Sequence, residues 1–362
     1  MLDATRLRVL VAIAKHGSVT AAAQALNYAQ PSISHHMARL ESETGAKLME
    51  RSGRGIRLTD AGRLLAERAE EILGRLDAAE AELAAHLGLR QERVRLAAFG
   101  SALGTLAAAA GSALRADRAI TEVSLVQAEP ADAVRMLRVG EVDVALVFRY
   151  LDASDRPDDL RPGAPIHDAA GLPDGGDLHY RPVLDEPVYL ITPAADPQPP
   201  SASSHAPPAS VRVAASVQAP ANMLTDYAGH RWIAGCDRCR DFLLRLCRSA
   251  GFSPDIAVTT DDYAAAQALV AAGLGVAILP GLALRAMRHP GVTATMIPGT
   301  RRQVLAITYG GPPEPLAATA LLAALVSAAV MFQGPRDPDR SGPPKPRSRL
   351  TGRTSTGREA DA

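Results

Sequence analysis

Gln30, Ser32, Ser34, His35 and Arg39 are hydrogen-bonding side chains gathered on one side of a short stretch whose other side is Ile33, Met37 and Leu40. Amide, hydroxyl, imidazole and guanidinium groups on the outer face of one helix can reach base edges or phosphate oxygens. Pro31 sits where a first helical turn tolerates proline, because the missing N–H would have gone unpaired anyway. Downstream, Arg51, Arg54 and Arg57 surround a Gly53-Arg54-Gly55 tip between Leu48-Met49 and Ile56-Arg57-Leu58. Glycine permits a hairpin turn there, and the arginines can meet a phosphate backbone or a minor groove. The alternative is a solvated charged hairpin. A second cluster is Cys236-Asp-Arg-Cys239, with Cys247 beyond it. A Cys-x-x-Cys at a helix start can lower a thiol pKa through the helix dipole and neighbouring Arg238 and Arg240, which suits redox sensing. Metal capture would add Cys247 as third ligand and a distant histidine as fourth, but a second Cys-x-x-Cys is missing. Small buried residues or ligand contacts are the plainer reading, and Cys247, beside Leu243, Leu244 and Leu246, reads as core.

The elements that must position the first cluster follow from spacing. Thr5 to Lys15 is predicted as a helix that packs through Leu7, Leu10, Val11 and Ala14. Ser18 caps a second, short helix with Ala22, Ala23 and Leu26 as its apolar stripe, and a tight junction leads to the helix opening at Gln30. Two short helices, a tight junction and a Gly/Arg-rich hairpin make a helix-turn-helix with a wing, residues 1–58. Thr59 and Asp60 then start a long helix, residues 59–88, by capping and by favourable charge at the dipole. Along it Leu65, Ala69, Ile72, Leu76, Ala79 and Leu83 follow alternating four- and three-residue steps between Glu, Arg and Asp. That narrow stripe predicts a dimerising seam through Leu65, Ile72, Leu76 and Leu83.

Length and composition bound the remainder. A chain of 362 residues with 47% hydrophobic content supports two or three domains. Formal net charge is zero, yet residues 1–58 carry eight Lys/Arg against four Asp/Glu. No apolar run long enough to span a bilayer and no signal-peptide layout is present, and three cysteines fit a reducing cytoplasm.

Residues 1 to about 88 resemble the DNA-binding half of a LysR-type transcriptional regulator. The resemblance rests on Gly-Ser-Val-Thr-Ala-Ala-Ala-Gln-Ala-Leu from Gly17 and Gln-Pro-Ser-Ile-Ser from Gln30. It rests equally on Leu-Glu-x-Glu-x-Gly from Leu40 to Gly45, and on Leu-Thr-Asp-Ala-Gly ending at Gly62. It implies that Gln30, Ser34 and His35 approach bases while Ser32, Arg39 and Arg54 hold the backbone.

From Glu92 short apolar strands alternate with Ala/Leu-rich helices, which predicts a mostly parallel sheet. Strands are expected at Val94–Ala98, Val123–Gln127 and Val142–Val147, and helices at Gly104–Ala116 and Asp132–Val139. Residues 151–180 and 193–210 read as a loop and a linker-like insertion. A second α/β unit follows, with Trp232–Ala234, Asp241–Ala250, Ile256–Val258, a helix to Ala272 and a strand to Pro280. Val292–Ile297 and Val304–Tyr309 are expected to return to the first unit, and Pro315–Phe332 to be its last helix. Ligands bind such sheets at strand carboxyl ends near helix N-termini. That rule selects Ser101, Ala102, Gln127, Glu129 and Phe148 in the first unit, and Gly235, Cys236, Thr260 and Asp261 in the second. Ser101 either holds an anionic ligand or simply caps its helix. This half is similar to the two-lobed, periplasmic-binding-protein-like effector domain of the same family. Residues 92–332 then comprise lobe I (about 92–190 and 292–332) and lobe II (about 191–291), before a disordered tail, 333–362.

The expected whole is a non-enzymatic, cytoplasmic, DNA-binding regulator, a homodimer or homotetramer on double-stranded DNA. It would use no cofactor beyond an unidentified small-molecule effector, contact RNA polymerase and avoid membranes. The alternatives are a redox- or metal-responsive regulator built on Cys236 and Cys239, and, more remotely, a thiol oxidoreductase or a solute-binding module.

Overall fold

The computed structural model describes residues 2–52, 55–87, 93–116, 122–151, 178–194, 220–310 and 314–332. Helices α1 (Ala4–His16), α2 (Val19–Ala25) and α3 (Gln30–Thr44) precede the hairpin of β1 (Met49–Ser52) and β2 (Gly55–Leu58), and α4 (Asp60–His86) follows. Arg54, the expected loop and insertion cores, and the tail lie outside the described residues. Ser18 caps α2, its Oγ accepting from the Ala21 N–H at 3.0 Å. Ile33, Met37 and Leu40 are fully buried against α1 and α2. Each contributes about 1.5–3 kcal/mol by leaving water, and together they fix which face of α3 points out.

Two details explain the Leu-Glu and Leu-Thr-Asp-Ala-Gly patterns. Glu41 spends its carboxylate on the hairpin: Oε1 accepts from the Leu48 N–H at 2.9 Å and the Met49 N–H at 3.2 Å, and Oε2 from Lys47 Nζ at 2.9 Å. Gly62 approaches the chain so closely that a Cβ there would lie 2.1 Å from the Leu48 carbonyl oxygen. Thr59 caps α4 through the Gly62 N–H at 3.0 Å and donates its own hydroxyl to the Lys47 carbonyl at 2.7 Å. Helix α3, the wing and α4 are thereby tied at one corner.

The second half runs β3 (Arg93–Ala98), α5 (Gly100–Ala102), a π turn (Leu103–Ala107), α6 (Ala108–Ala116), β4 (Glu122–Gln127), α7 (Pro130–Arg138) and β5 (Val144–Leu151). Then come β6 (Leu178–Pro193), α8 (Pro220–Thr225), β7 (Arg231–Ala234), α9 (Asp237–Ser249), β8 (Asp255–Thr259) and α10 (Tyr263–Ala271). The chain closes with β9 (Val276–Pro280), α11 (Gly281–Ala286), β10 (Val292–Tyr309) and α12 (Leu316–Phe332). The strands lie in the order β4-β3-β5-β10-β6-β9-β7-β8. β3 is parallel to β4 and β5, and β7 to β8 and β9, while the two long strands β6 and β10 run antiparallel through the middle. Each end of that antiparallel pair carries one lobe.

Several expectations shift. The segment read as two strands, Val292–Ile297 and Val304–Tyr309, is one strand, β10, with a register shift between Met296 and Arg301. Its first part pairs with Pro193–Tyr189, whose neighbour β9 belongs to lobe II, so the crossing between lobes falls inside β6 and β10 and not at 190 and 292. The helix read from Gly104 starts at Gly100, and the one read from Asp132 starts at Pro130. Neither first turn carries a polar side-chain cap; α7 is marked instead by Pro130 at its first position, a start signal that the reading from Asp132 passed over.

Helix α4 also departs from a single seam. Ala66, Ala69 and Leu73 are buried in the N-terminal core, with Leu65 half-buried beside them. Two stripes therefore share the helix, and Leu65 and Ala69 serve the inward one. Farther along, α4 touches the effector half backbone to backbone: a Cβ on Gly74 would fall 1.7 Å from the Val139 carbonyl oxygen. Arg75 donates to the carbonyls of Arg138, at 3.1 Å, and Leu137, and its guanidinium lies 3.4 Å from the centre of the Tyr309 ring. A cation at the last turn of α7 meets carbonyls at the negative end of the helix dipole.

Burial raises the Glu41 carboxyl, but donation from Lys47 and from the Leu48 and Met49 N–H groups outweighs it, and the net pKa falls below the usual carboxylate range. A depressed folded pKa contributes stability that is complete at neutral pH and is lost as pH drops through the usual carboxylate range and then the group's own. Glu41→Ala should cost about 1.5–3 kcal/mol at pH 7, and urea unfolding should show that penalty shrinking in acid.

Candidate functional site

On α3 the structure exposes Gln30, Pro31, Ser32, Ser34, His35 and Arg39 together. Asn27, in the left-handed region at φ 57°, makes the tight turn that brings α2 and α3 to their angle. Tyr28 stacks on His36, ring centres 5.9 Å apart, leaving His35 at the edge of the exposed face. Arg39 pairs with Glu43 at 3.5 Å, and Glu43 also holds Arg6 at 3.1 Å. One acidic residue thus orients Arg39 without covering it. In the hairpin, Arg57 pairs across the strands with Glu50 at 2.6 Å.

The outer stripe of α4 is apolar and open to solvent. Ile72, Leu76 and Leu83 are exposed, and Leu64 and Leu87, which the narrow seam did not include, extend them.

The second site is a cavity of about 60 Å³ between the lobes. Ser101, Glu129 and Phe148 from lobe I and Gly235, Cys236, Thr260 and Asp261 from lobe II all line it. Ala102 is buried away from it, and Gln127 lies exposed with its Nε2 near Gly100; neither is among the lining residues. Ser101 does not cap its helix. Phe99 is the residue before α5, and the Ser101 Oγ accepts from Arg302 Nη2 at 2.9 Å. Asp262, and not the neighbouring Thr260 or Asp261, caps α10 through the Ala264 and Ala265 N–H groups. That leaves Thr260 and Asp261 turned to the cavity.

Arg302 is a charged lining residue that strand-end reasoning did not select. It is buried against the rings of Phe99 and Phe148, 4.8 and 4.9 Å from their centres, and donates Nε to Glu186 Oε1 at 2.6 Å. The other Glu186 oxygen accepts from the Leu282 N–H at the start of α11. Burial works against the Arg302 charge, but Glu186 holds its pKa above the usual value; burial also raises the Glu186 carboxyl, against the lowering pull of Arg302 and the Leu282 N–H. The alternation of buried Thr300, Arg302, Val304 and Ala306 along β10 was the available signal.

Cys236 and Cys239 share the lobe II wall, their Sγ atoms 3.0 Å apart. Tyr150 of β5 donates its hydroxyl to Cys239 Sγ at 3.5 Å. Donation from the Cys236 thiol, against burial and helped by Tyr150, lowers the Cys239 pKa; Cys236, as the donor, is pushed up. Burial raises the Glu129 carboxyl beside them. Cys247 packs in the core with Phe242, Leu243 and Leu246, its thiol pushed up to about 12 by burial. Among the described residues no group of three or more His, Cys, Asp or Glu side chains is placed to hold a metal ion. Nor, among them, is any helix long and apolar enough to cross a membrane.

Residues 4–63 match the family model for the bacterial regulatory helix-turn-helix protein, lysR family, and residues 169–329 match the LysR substrate binding domain. The chain is 28% identical over 330 residues to the uncharacterised HTH-type transcriptional regulator YcgK of Bacillus subtilis (strain 168), covering 85% of this chain and 89% of that protein. It is 30% identical over 276 residues to the small neutral protease regulatory protein of Streptomyces coelicolor, covering 75% of this chain and 71% of the relative. Among solved structures, that of CbnR, a LysR family transcriptional regulator, superposes with a TM-score of 0.56 at 20% identity, over 91% of this chain and 99% of that one. This likeness shows a shared fold.

The ion pair behind the cavity carries a stability prediction of its own. Glu186→Ala leaves the buried guanidinium without its counter-charge and should cost about 3–5 kcal/mol in urea unfolding. Glu186→Leu combined with Arg302→Met should recover most of that loss, because a buried pair replaced by apolar residues of similar volume is often near neutral.

Proposed function

The chain belongs to the lysR family of transcription regulators, with a helix-turn-helix DNA-binding domain and an effector-binding domain, and we propose that α3 reads duplex DNA while the inter-lobe cavity takes the effector. The observation that carries the reading is the split of α3 into a fully buried apolar face and an exposed polar one, residue by residue. Gln30, Ser34 and His35 then approach base edges, and Pro31 sets the helix start against the backbone. Ser32 and Arg39 contact phosphates, with Arg54 joining them from the wing.

Two copies pair through Ile72, Leu76 and Leu83, extended by Leu64 and Leu87, whose exposure leaves an apolar stripe for a second helix. Paired recognition helices would read half-sites about one helical turn or more apart. Dimers associating further would give a tetramer. An effector held by Ser101, Glu129, Phe148, Gly235, Cys236, Thr260 and Asp261 would shift the balance between lobe arrangements, and through it DNA geometry or an RNA polymerase contact. The cavity is assigned to binding and not to turnover, and the protein to the cytoplasm, where the DNA is.

Footprinting on DNA flanking its own gene, with and without candidate metabolites, tests the reading; absence of any dyad-symmetric protection would overturn it. Alanine at Gln30, Ser34 or His35 should cost about 1–3 kcal/mol at one base position and relax specificity there. Arg39→Ala should weaken binding evenly across sequences and reduce the salt slope by about one. Leu76→Glu with Leu83→Glu should yield monomers in analytical ultracentrifugation while the circular dichroism of the fold is retained.

A further inference from the structure

Two cysteines one helical turn apart are not by themselves a site, but four independent features surround this pair. The Sγ atoms stand 3.0 Å apart, inside ordinary sulfur–sulfur contact, at the opening turn of α9. Gly235 makes room for them: a Cβ there would lie 2.8 Å from Cys239 Cβ and 3.3 Å from its Sγ. Both thiols line the cavity, whereas Cys247 is sealed in the core. The fourth feature is Tyr150, which reaches Cys239 from the other lobe and stacks on Phe242 of the same α9, ring centres 4.2 Å apart and nearly parallel.

We propose that Cys236 and Cys239 form a reversible dithiol–disulfide site that a small hydroperoxide oxidises inside the cleft, and that closing the disulfide breaks the Tyr150 hydrogen bond between the lobes and changes DNA binding. The inference rests on reading the cleft as the effector site. The cavity volume of about 60 Å³ suits a small oxidant. It has room for a few water-sized molecules at about 10–15 Å³ each, which admits hydrogen peroxide.

The chemistry balances within the cleft. Cys239 is the attacking sulfur: donation from Cys236 and Tyr150 and the nearby Arg302 charge lower its pKa and favour its thiolate. Its sulfur attacks one peroxide oxygen, the O–O bond breaks, and the departing hydroxide takes the proton that Cys239 released, giving water and a sulfenic acid. Cys236 then attacks that sulfur. The S–S bond forms, the S–O bond breaks, and the hydroxyl leaves as water with the Cys236 proton, for which the adjacent Glu129 carboxylate is a relay. In sum, two thiols and one hydrogen peroxide yield one disulfide and two waters; the sulfurs lose two electrons and the peroxide oxygens gain them. The Sγ atoms must approach by about 1 Å. A disulfide sulfur is a poor acceptor, so Tyr150 loses its hydrogen-bond partner on α9 and keeps only the stack on Phe242.

The test uses full-length reduced protein treated with one equivalent of hydrogen peroxide. The expected result is a mass loss of about 2 Da, a Cys236–Cys239 cross-linked peptide, Cys247 still alkylated after denaturation, and reversal by dithiothreitol. On DNA flanking its own gene, oxidation should change the Kd by about fivefold or more, or shift the footprint. Cys236→Ser should stop at a sulfenic acid on Cys239 that dimedone traps. Tyr150→Phe should still close the disulfide but lose most of its effect on DNA. Thiols that both remain alkylatable after peroxide, over-oxidation without a disulfide, or a disulfide that leaves DNA binding unchanged would each overturn the proposal. Reduced protein that binds no DNA instead sinks the DNA-reading assignment, and the mass measurement still decides the thiol chemistry.

Discussion

A buried Arg302–Glu186 pair sits where the two lobes are joined, and the rest of the effector half is arranged around it. The chain passes between lobes only on β6 and β10 among the described residues, and each strand contributes one member of the pair. From that crossing Arg302 reaches Ser101 at the start of α5, and Glu186 reaches the first turn of α11. Both contacts are to helix starts that wall the cavity. An ion pair taken out of water is costly unless its remaining donors and acceptors are met. Here two aromatic rings, a hydroxyl and a backbone N–H meet them.

The N-terminal half depends on a different economy of contacts. Glu41 and Gly62 hold α3, the wing and α4 at one corner, so the exposed polar face of α3 has a fixed relation to the axis of α4. Helix α4 in turn is split by height. Ala66, Ala69 and Leu73 bind it to its own domain, Gly74 and Arg75 dock it on α7, and Ile72, Leu76 and Leu83 stay open. Arg75 stacks on Tyr309, the last residue of β10, the strand that carries Arg302. A continuous strand therefore runs from the cavity wall to α4, the helix that follows the helix-turn-helix.

How much of this was legible in the sequence depended on whether local pattern or long-range contact decided the outcome. Helix α3 was readable because its burial follows its own period, and Ser18 and Thr59 because a cap is a local hydrogen bond. The starts of α5 and α7 were misplaced since neither has a polar cap to mark it, and Pro130 at the first position of α7 was passed over. Leu65 was assigned to the wrong stripe because a three- and four-residue step cannot say which of two neighbouring surfaces a helix faces. Arg302 was missed for the same reason in a strand: its partner Glu186 is 116 residues away. Strand-end reasoning found most of the cavity wall but took in Ala102 and Gln127, because it names the end of an element and not the direction of its side chains.

The two cysteines show how a motif and its surroundings answer different questions. The spacing alone allowed metal capture, redox chemistry or plain packing. What each sulfur touches differs: Cys247 meets core side chains, and among the described residues no set of three ligands forms around the pair. What remains is a pair of thiols in contact, one donating to the other, with a phenol from the opposite lobe as third party. A thiol pair wholly within one lobe would sense oxidation locally and transmit nothing. Tyr150 changes that, because it belongs to β5, whose neighbour β10 carries Arg302 and ends at Tyr309 beneath Arg75. The hydrogen bond from Tyr150 to Cys239 is weak at 3.5 Å, yet the stack on Phe242 holds the phenol in register with it. Breaking one polar contact at a packed aromatic interface favours a discrete shift over a graded one, since packed cores are bistable and not continuously deformable.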